Sequence, residues 1–218
     1  PAPPISPEPE TDADRAERDG WGIGGPYAVE LGAWVGVAGR LDDPPRFADG
    51  RRAGLGVGAS LDVVLSTRVS LGLAYAHRDL GTERSGVLQG GTLTLDHTLD
   101  SVWARLQLVP MRYDDVRAFL RLGLALDIES ADARAVLWNP ITPAEQTVVT
   151  CSESGSPGLG LGVGAGLDGN FSEALRGRVF VGFENHRLED GVLTSCATGA
   201  GTTTLLGLQA GLTYEWGL

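Results

Sequence analysis

The residues of this chain that could do chemistry are two cysteines, three histidines and a regularly spaced set of carboxylates and arginines. Cys151 and Cys196 have no histidine near them in sequence, so they make a poor zinc set. A disulfide or two free thiols are the other readings. No serine stands beside His77 or His97 as a nucleophile awaiting a base. The run GLGLGVGAGLDG at 158–169 has the look of a nucleotide loop. A dinucleotide fingerprint, however, needs a strand before it and a helix after it. Here the glycines alternate with Leu and Val and continue as strand, so no cofactor is implied. The charges offer no compact catalytic or metal-binding cluster. What they offer is a spacing: Arg117, Arg121, Asp127 and Glu129 share one parity, and Val116, Leu120, Leu122, Leu124, Leu126 and Ile128 share the other.

That period of two is a strand signal, and it recurs along the chain. At the C-terminus Leu206, Leu208, Ala210, Leu212, Tyr214, Trp216 and Leu218 form one face, and Gly207, Gln209, Gly211, Thr213, Glu215 and Gly217 the other. A soluble strand averages about five to six residues, whereas a tilted membrane-crossing strand needs roughly 9–11 with interfacial aromatics. The C-terminal stretch matches the second. Eight such strands are expected, near residues 27–40, 52–65, 68–80, 92–110, 115–130, 158–168, 175–186 and 203–218. Short turns fall near Thr67, Tyr113 and Asn170. Long connections fall between them, including Gly81–Gly91, Ala131–Pro157 and Arg187–Gly201. One irregularity stands out: Leu93, Leu95 and Leu99 are odd-numbered, but Val102, Ala104, Leu106 and Leu108 are even. A bulge near Asp100, or an extension of Thr92–Leu99 above a membrane, would account for it.

Alternating short turns and long loops, with charges on the glycine face and none on the Leu/Val face, give the expected fold class. It is all-β: an eight-stranded antiparallel up-and-down transmembrane barrel over residues 27–218, with short periplasmic turns and long extracellular loops. An even strand count places both termini in the periplasm. Residues 1–26, acidic and proline-rich, read as a periplasmic tail without a core of its own. The chain opens with neither a charged nor an apolar leader region, so an exported form starting at Pro1 is expected to be mature. The net charge of −11, with every basic residue an arginine, argues against a nucleic-acid partner.

Gln209, Gly211, Tyr214, Trp216 and Leu218 carry a family resemblance. Their spacing resembles the C-terminal assembly signal of bacterial outer-membrane proteins, with the departure that Gly217 and Leu218 follow the aromatic. The resemblance implies recognition by the barrel-assembly machinery. With the topology, it makes the chain similar to the small eight-stranded outer-membrane barrels, the outer-membrane-protein-A-like and W-like class. Enzymes of that class that deacylate lipid A use a His-x-Ser pair near the outer rim. Here Leu188 stands where the serine after His186 would be, so a non-enzymatic protein is expected.

A narrow barrel is filled by its own side chains. The expected lumen network is Glu30, Asp62, Arg68, Arg105, Arg117, Arg121, Asp127, Arg176, Arg178 and Glu184, with Asp168 and Glu215 on the same face. The glycine runs are expected to make room for inward Trp34, Trp103, Phe119 and Phe180. In an oxidising envelope Cys151 and Cys196, on loops rising from the same end, are expected to form a disulfide. The expected role is structural or surface interaction through the extracellular loops. Its partners would be outer-membrane lipid and lipopolysaccharide, with a possible protein partner at the tail or loops. Anchoring a larger envelope assembly, or a narrow channel for small or apolar solutes, are the alternatives.

Overall fold

In the computed structural model the described residues are 28–41, 52–87, 91–113, 115–138, 146–191, 193 and 197–217. The tail 1–26, Tyr27, Cys196 and Leu218 lie outside them. The elements are β1 (Ala28–Arg40), β2 (Ala53–Val64), β3 (Val69–Val87), β4 (Gly91–Tyr113), β5 (Val116–Trp138), β6 (Gln146–Ser154), β7 (Gly158–Asn170), β8 (Leu175–Arg187) and β9 (Thr202–Gly217). All pairings are antiparallel, and the β4–β5 pairing closes the sheet on itself. The ring is an up-and-down barrel of eight staves. β6 is an addition to that count: the lower half of β5 pairs with β7 and its upper half, Ser130–Trp138, pairs with β6. β6 and β7 thus share one stave, interrupted at 155–157.

Closure leaves no unpaired edge around the belt, which a chain in hydrocarbon requires. The outside of the belt is apolar and bare: Leu55, Leu124 and Leu159 are 70, 61 and 63 % exposed. On β5 the outward apolar set runs from Val116 to Ile128. That is about 40 Å of strand, or about 30 Å of height at a tilt near 40°, enough for the roughly 25 Å apolar band of an outer-membrane barrel. Tyr113, Phe171, Tyr214 and Trp216 are exposed towards the short-turn end and Tyr75 lies at the opposite margin, as girdle aromatics do. Two of the short turns use the same device. Ser66 Oγ accepts hydrogen bonds from the backbone N–H groups of Arg68 and Val69, and Ser172 Oγ from that of Leu175.

β3, β4 and β5 continue past the belt, which corrects two sequence readings. Gly81–Gly91 and Ala131–Pro157 are largely strand. They carry no lipid-facing pattern because water replaces lipid outside them. Of the two readings of the β4 phase change, the bulge near Asp100 is absent and Thr92–Leu99 is instead a strand extension past the belt. On β4, Leu95, His97 and Leu99 point inward with the same parity as Ser101, Trp103 and Arg105. What inverts is the chemistry of the two faces. The irregularity lies across the pair, on β3 between Asp79 and Gly81. There Gly81 has φ 104° and its N–H donates to Asp79 Oδ1 at 2.7 Å. A positive φ at this bulge favours glycine. The extra residue lets both Leu80 and Glu83 face inward.

Candidate functional site

The lumen and the mouth above it are where the charged and chemically capable residues converge. Nearest the short turns, Glu30 on β1 is a hub. Arg176, Arg117 and Arg178 approach its carboxylate at 2.8, 3.2 and 3.4 Å. Asp168 on β7 takes Arg178 at 2.6 Å and Arg117 at 2.8 Å, and Arg176 also meets Glu215. Asp62 on β2 pairs with Arg105 on β4 at 2.7 Å. Pairing offsets the cost of desolvating each ion. Arg68 does not sit in a strand: it is half-buried in the β2–β3 turn.

Higher up, Arg78 chelates Glu184, with a 2.9 Å hydrogen bond from Nη2 to Oε1. His186 is fully buried between Glu184 at 3.2 Å and Asp127 at 2.8 Å, and Asp127 accepts from Ser101 at 2.6 Å. His186 is therefore a lumen residue and not a rim group facing lipid. Arg121 bonds Gln107 at 3.0 Å and stands over the rings of Phe119 and Phe180.

Glycine placement explains how such a narrow tube holds aromatics. A Cβ on Gly58 would lie 2.4 Å from the Trp34 ring. One on Gly123 or Gly162 would lie 2.8 or 2.9 Å from Trp103. On Gly164 and Gly166 it would lie 2.3 Å from Phe180 and Phe119 respectively. Gly162, Gly164 and Gly166 of β7 serve as sockets for facing rings. Gly211 of the C-terminal motif lies close against β1 instead, where a Cβ would be 2.4 Å from the Ala33 carbonyl oxygen and 2.9 Å from Trp34 Cβ. Gln209 faces the lumen beside it, while Tyr214 and Trp216 are exposed on the outer face.

Above the belt, His97 lies between Glu129 at 2.8 Å and Glu83 at 3.3 Å, and Arg40 reaches Glu83 at 3.2 Å. The outward neighbours here are Thr92, Thr94, Asp96 and Thr98, so this level is outside the apolar band. Burial opposes charging His97, but the hydrogen bond to Glu129 and the close negative charges of Glu83 and Glu129 outweigh it and raise the pKa to about 9. Leu80, Leu99 and Leu205 pack below this cluster, and Leu95, Ala131, Ala133, Leu193 and Ala197 above it. The β8–β9 loop folds into the mouth, where the Ala200 N–H donates to Glu129 at 2.7 Å and that of Ala197 to Glu153 at 3.1 Å. Cys151 on β6 packs against the upper cluster and is disulfide-bonded. Outside the barrel, His77 and Tyr75 both hydrogen-bond Asp100.

Arg78, Glu83, His97 and Arg40 were not among the expected lumen charges. Arg78 shares the inward parity of Ala74 and Ala76 and was findable on that ground. Glu83 was hidden by the bulge. No group of histidine, cysteine and carboxylate side chains among the described residues is arranged to hold a metal.

No protein-family model and no curated protein matches the sequence. Solved structures match the fold. The outer membrane protein OprG from Pseudomonas aeruginosa is 12 % identical, with 90 % of this chain and 100 % of that chain covered and a TM-score of 0.50. Neisserial surface protein A is 14 % identical over 87 and 96 %, at 0.49. CarO from Acinetobacter baumannii is 13 % identical over 88 and 98 %, at 0.47. The likeness to OprG shows the fold: the chain has the architecture of the small outer-membrane barrels.

Proposed function

We propose that this chain is a non-enzymatic integral protein of a bacterial outer membrane, working through the surface that its long-loop end presents outside the cell. One observation supports this most. The same strands that carry bare leucines around the belt carry Thr92, Thr94, Asp96 and Asp132 on their outside above it, with Leu95 and Leu99 turned inward. Building a packed, water-dressed tower on a barrel costs chain and core, and it is of use only if something meets the tower. Both termini then lie in the periplasm, the residues 1–26 tail with them.

Further parts of the reading follow from that placement. Cys151 pairs with Cys196, tying β6 to the β8–β9 loop that fills the mouth. The motif Gln209, Gly211, Tyr214, Trp216 and Leu218 serves insertion by the assembly machinery. Lipid and lipopolysaccharide surround the belt. A protein partner docks on the tower or on the tail.

Refolded protein in a planar bilayer, and intact cells treated with an external protease, test this reading together. The expected result is no steady conductance, and cleavage or labelling confined to the β1–β2, β3–β4, β5–β6 and β8–β9 connections. Sustained solute flux would instead support the narrow channel. Labelling of the short turns from outside would reverse the orientation.

A further inference from the structure

At mid-height the barrel holds a small cavity of about 40 Å³ lined by Trp103, Arg105, Arg121 and Glu184. Three features of its wall point the same way. The first is charge. Arg78, Arg105, Arg117, Arg176 and Arg178 each have a carboxylate within salt-bridge distance. Arg121 has none among the described residues. Its partners are the neutral Gln107 oxygen and two phenyl faces. At 8 % exposure it is an uncompensated guanidinium well inside the barrel, where a lone charge is costly.

The second feature is the kind of group left unsatisfied. Arg121 Nε, Arg105 Nε and Trp103 Nε1 are buried without a hydrogen-bond partner, and all are N–H donors. Trp103 and Arg105 are 6 and 8 % exposed. The carboxylate on the wall, Glu184, is already engaged by Arg78 and His186. A water there would accept from the donors but would need acceptors for its own hydrogens, whereas an anion only accepts. The third feature is size. A water needs about 10–15 Å³ on this measure, so the cavity has room for one small ion with a water beside it. Sugars and lipid headgroups do not fit.

We propose that this cavity binds one small monovalent anion of chloride size, held by Arg121 with the N–H groups of Arg105 and Trp103. One unpaired positive charge calls for one negative charge, and the anion enters while the barrel closes around it during folding. The ion completes the lumen network as a resident counter-ion.

The full chain refolded and crystallised in sodium bromide tests this directly by anomalous diffraction. The expected result is a bromide peak between Arg121 and Trp103. Bromide found at the surface alone, or a cavity holding only water, would overturn it. In solution, the wild-type melting temperature is expected to rise with chloride or bromide above its value in gluconate at equal ionic strength, and Arg121→Met to abolish the rise. A halide response unchanged in Arg121→Met would also overturn the site. Should that variant fail to refold, Arg121→Gln takes its place, and the wild-type anomalous map still decides.

Discussion

The barrel belt and the tower above it are built from the same strands with opposite dressing. In the belt, Leu122, Leu124 and Leu126 face out while Arg121 and Asp127 face in. A few residues higher, Asp132 faces out while Ala131 and Ala133 face in. No break in the β4 backbone separates the regimes; the parity runs through from Leu95 to Gln107. The solvent outside sets the rule. Where lipid surrounds the sheet, polar groups are confined to the lumen and must neutralise one another. Where water surrounds it, leucines return to the interior by the ordinary hydrophobic effect.

Removing the acid at the hub should have the largest effect. Glu30→Ala leaves Arg117, Arg176 and Arg178 around a lost charge, and breaking a buried pair costs about 3–5 kcal/mol. Urea unfolding in lipid vesicles measures it. Next, Leu122→Arg on the belt exterior should cost about 2–4 kcal/mol near midplane, whereas Thr92→Arg on the tower exterior should stay within about 0.5 kcal/mol. Equal costs at the two positions would break the comparison.

A smaller effect separates socket glycines from ordinary ones. An added Cβ at Gly166 would lie 2.3 Å from Phe119 and 2.5 Å from the Val179 carbonyl, while Gly169 has nothing within 4 Å. Gly166→Ala should cost about 1–3 kcal/mol by overpacking, and Gly169→Ala should be close to neutral by the same unfolding assay.

The mildest prediction concerns pH. The His97 pKa of about 9 in the fold lies above its ordinary 6.5. Its contribution is therefore complete below about pH 6.5 and is lost as pH rises through about 9. Protease sensitivity of the β8–β9 loop should increase over that window, and His97→Gln should flatten the dependence.

The belt was legible in the sequence because lipid imposes one polarity on every outward residue, from Leu31 on β1 to Trp216 on β9. The tower was legible only in part: an extension of Thr92–Leu99 above a membrane was one reading of β4, but Gly81–Gly91 and Ala131–Pro157, which carry no lipid-facing pattern, read as loops. Leu95 and Leu99 then looked like a slipped register. The hub could be read in outline, since Glu30, Arg117, Arg176 and Arg178 all sit at inward parity. Which acid meets which arginine depends on strand stagger, which alternation does not encode. Glu83 was out of reach because one bulge residue, Leu80, shifts everything after it. Arg121 could be placed inward from sequence, but that no carboxylate among the described residues pairs with it needed coordinates.

The central claim is that the outside of the sheet passes from lipid to water between Ile128 and Ser130. Nitroxide labels at single cysteines, with Cys151 and Cys196 replaced, can be walked along outward positions of β5 from Leu120 to Arg134 in lipid vesicles. Collision rates with oxygen and with a water-soluble relaxer are then compared. The account predicts oxygen-dominated relaxation from Leu120 through Ile128 and water-dominated relaxation at Ser130, Asp132 and Arg134. Oxygen dominance persisting to Arg134, or water access at Leu122 and Leu124, would contradict it.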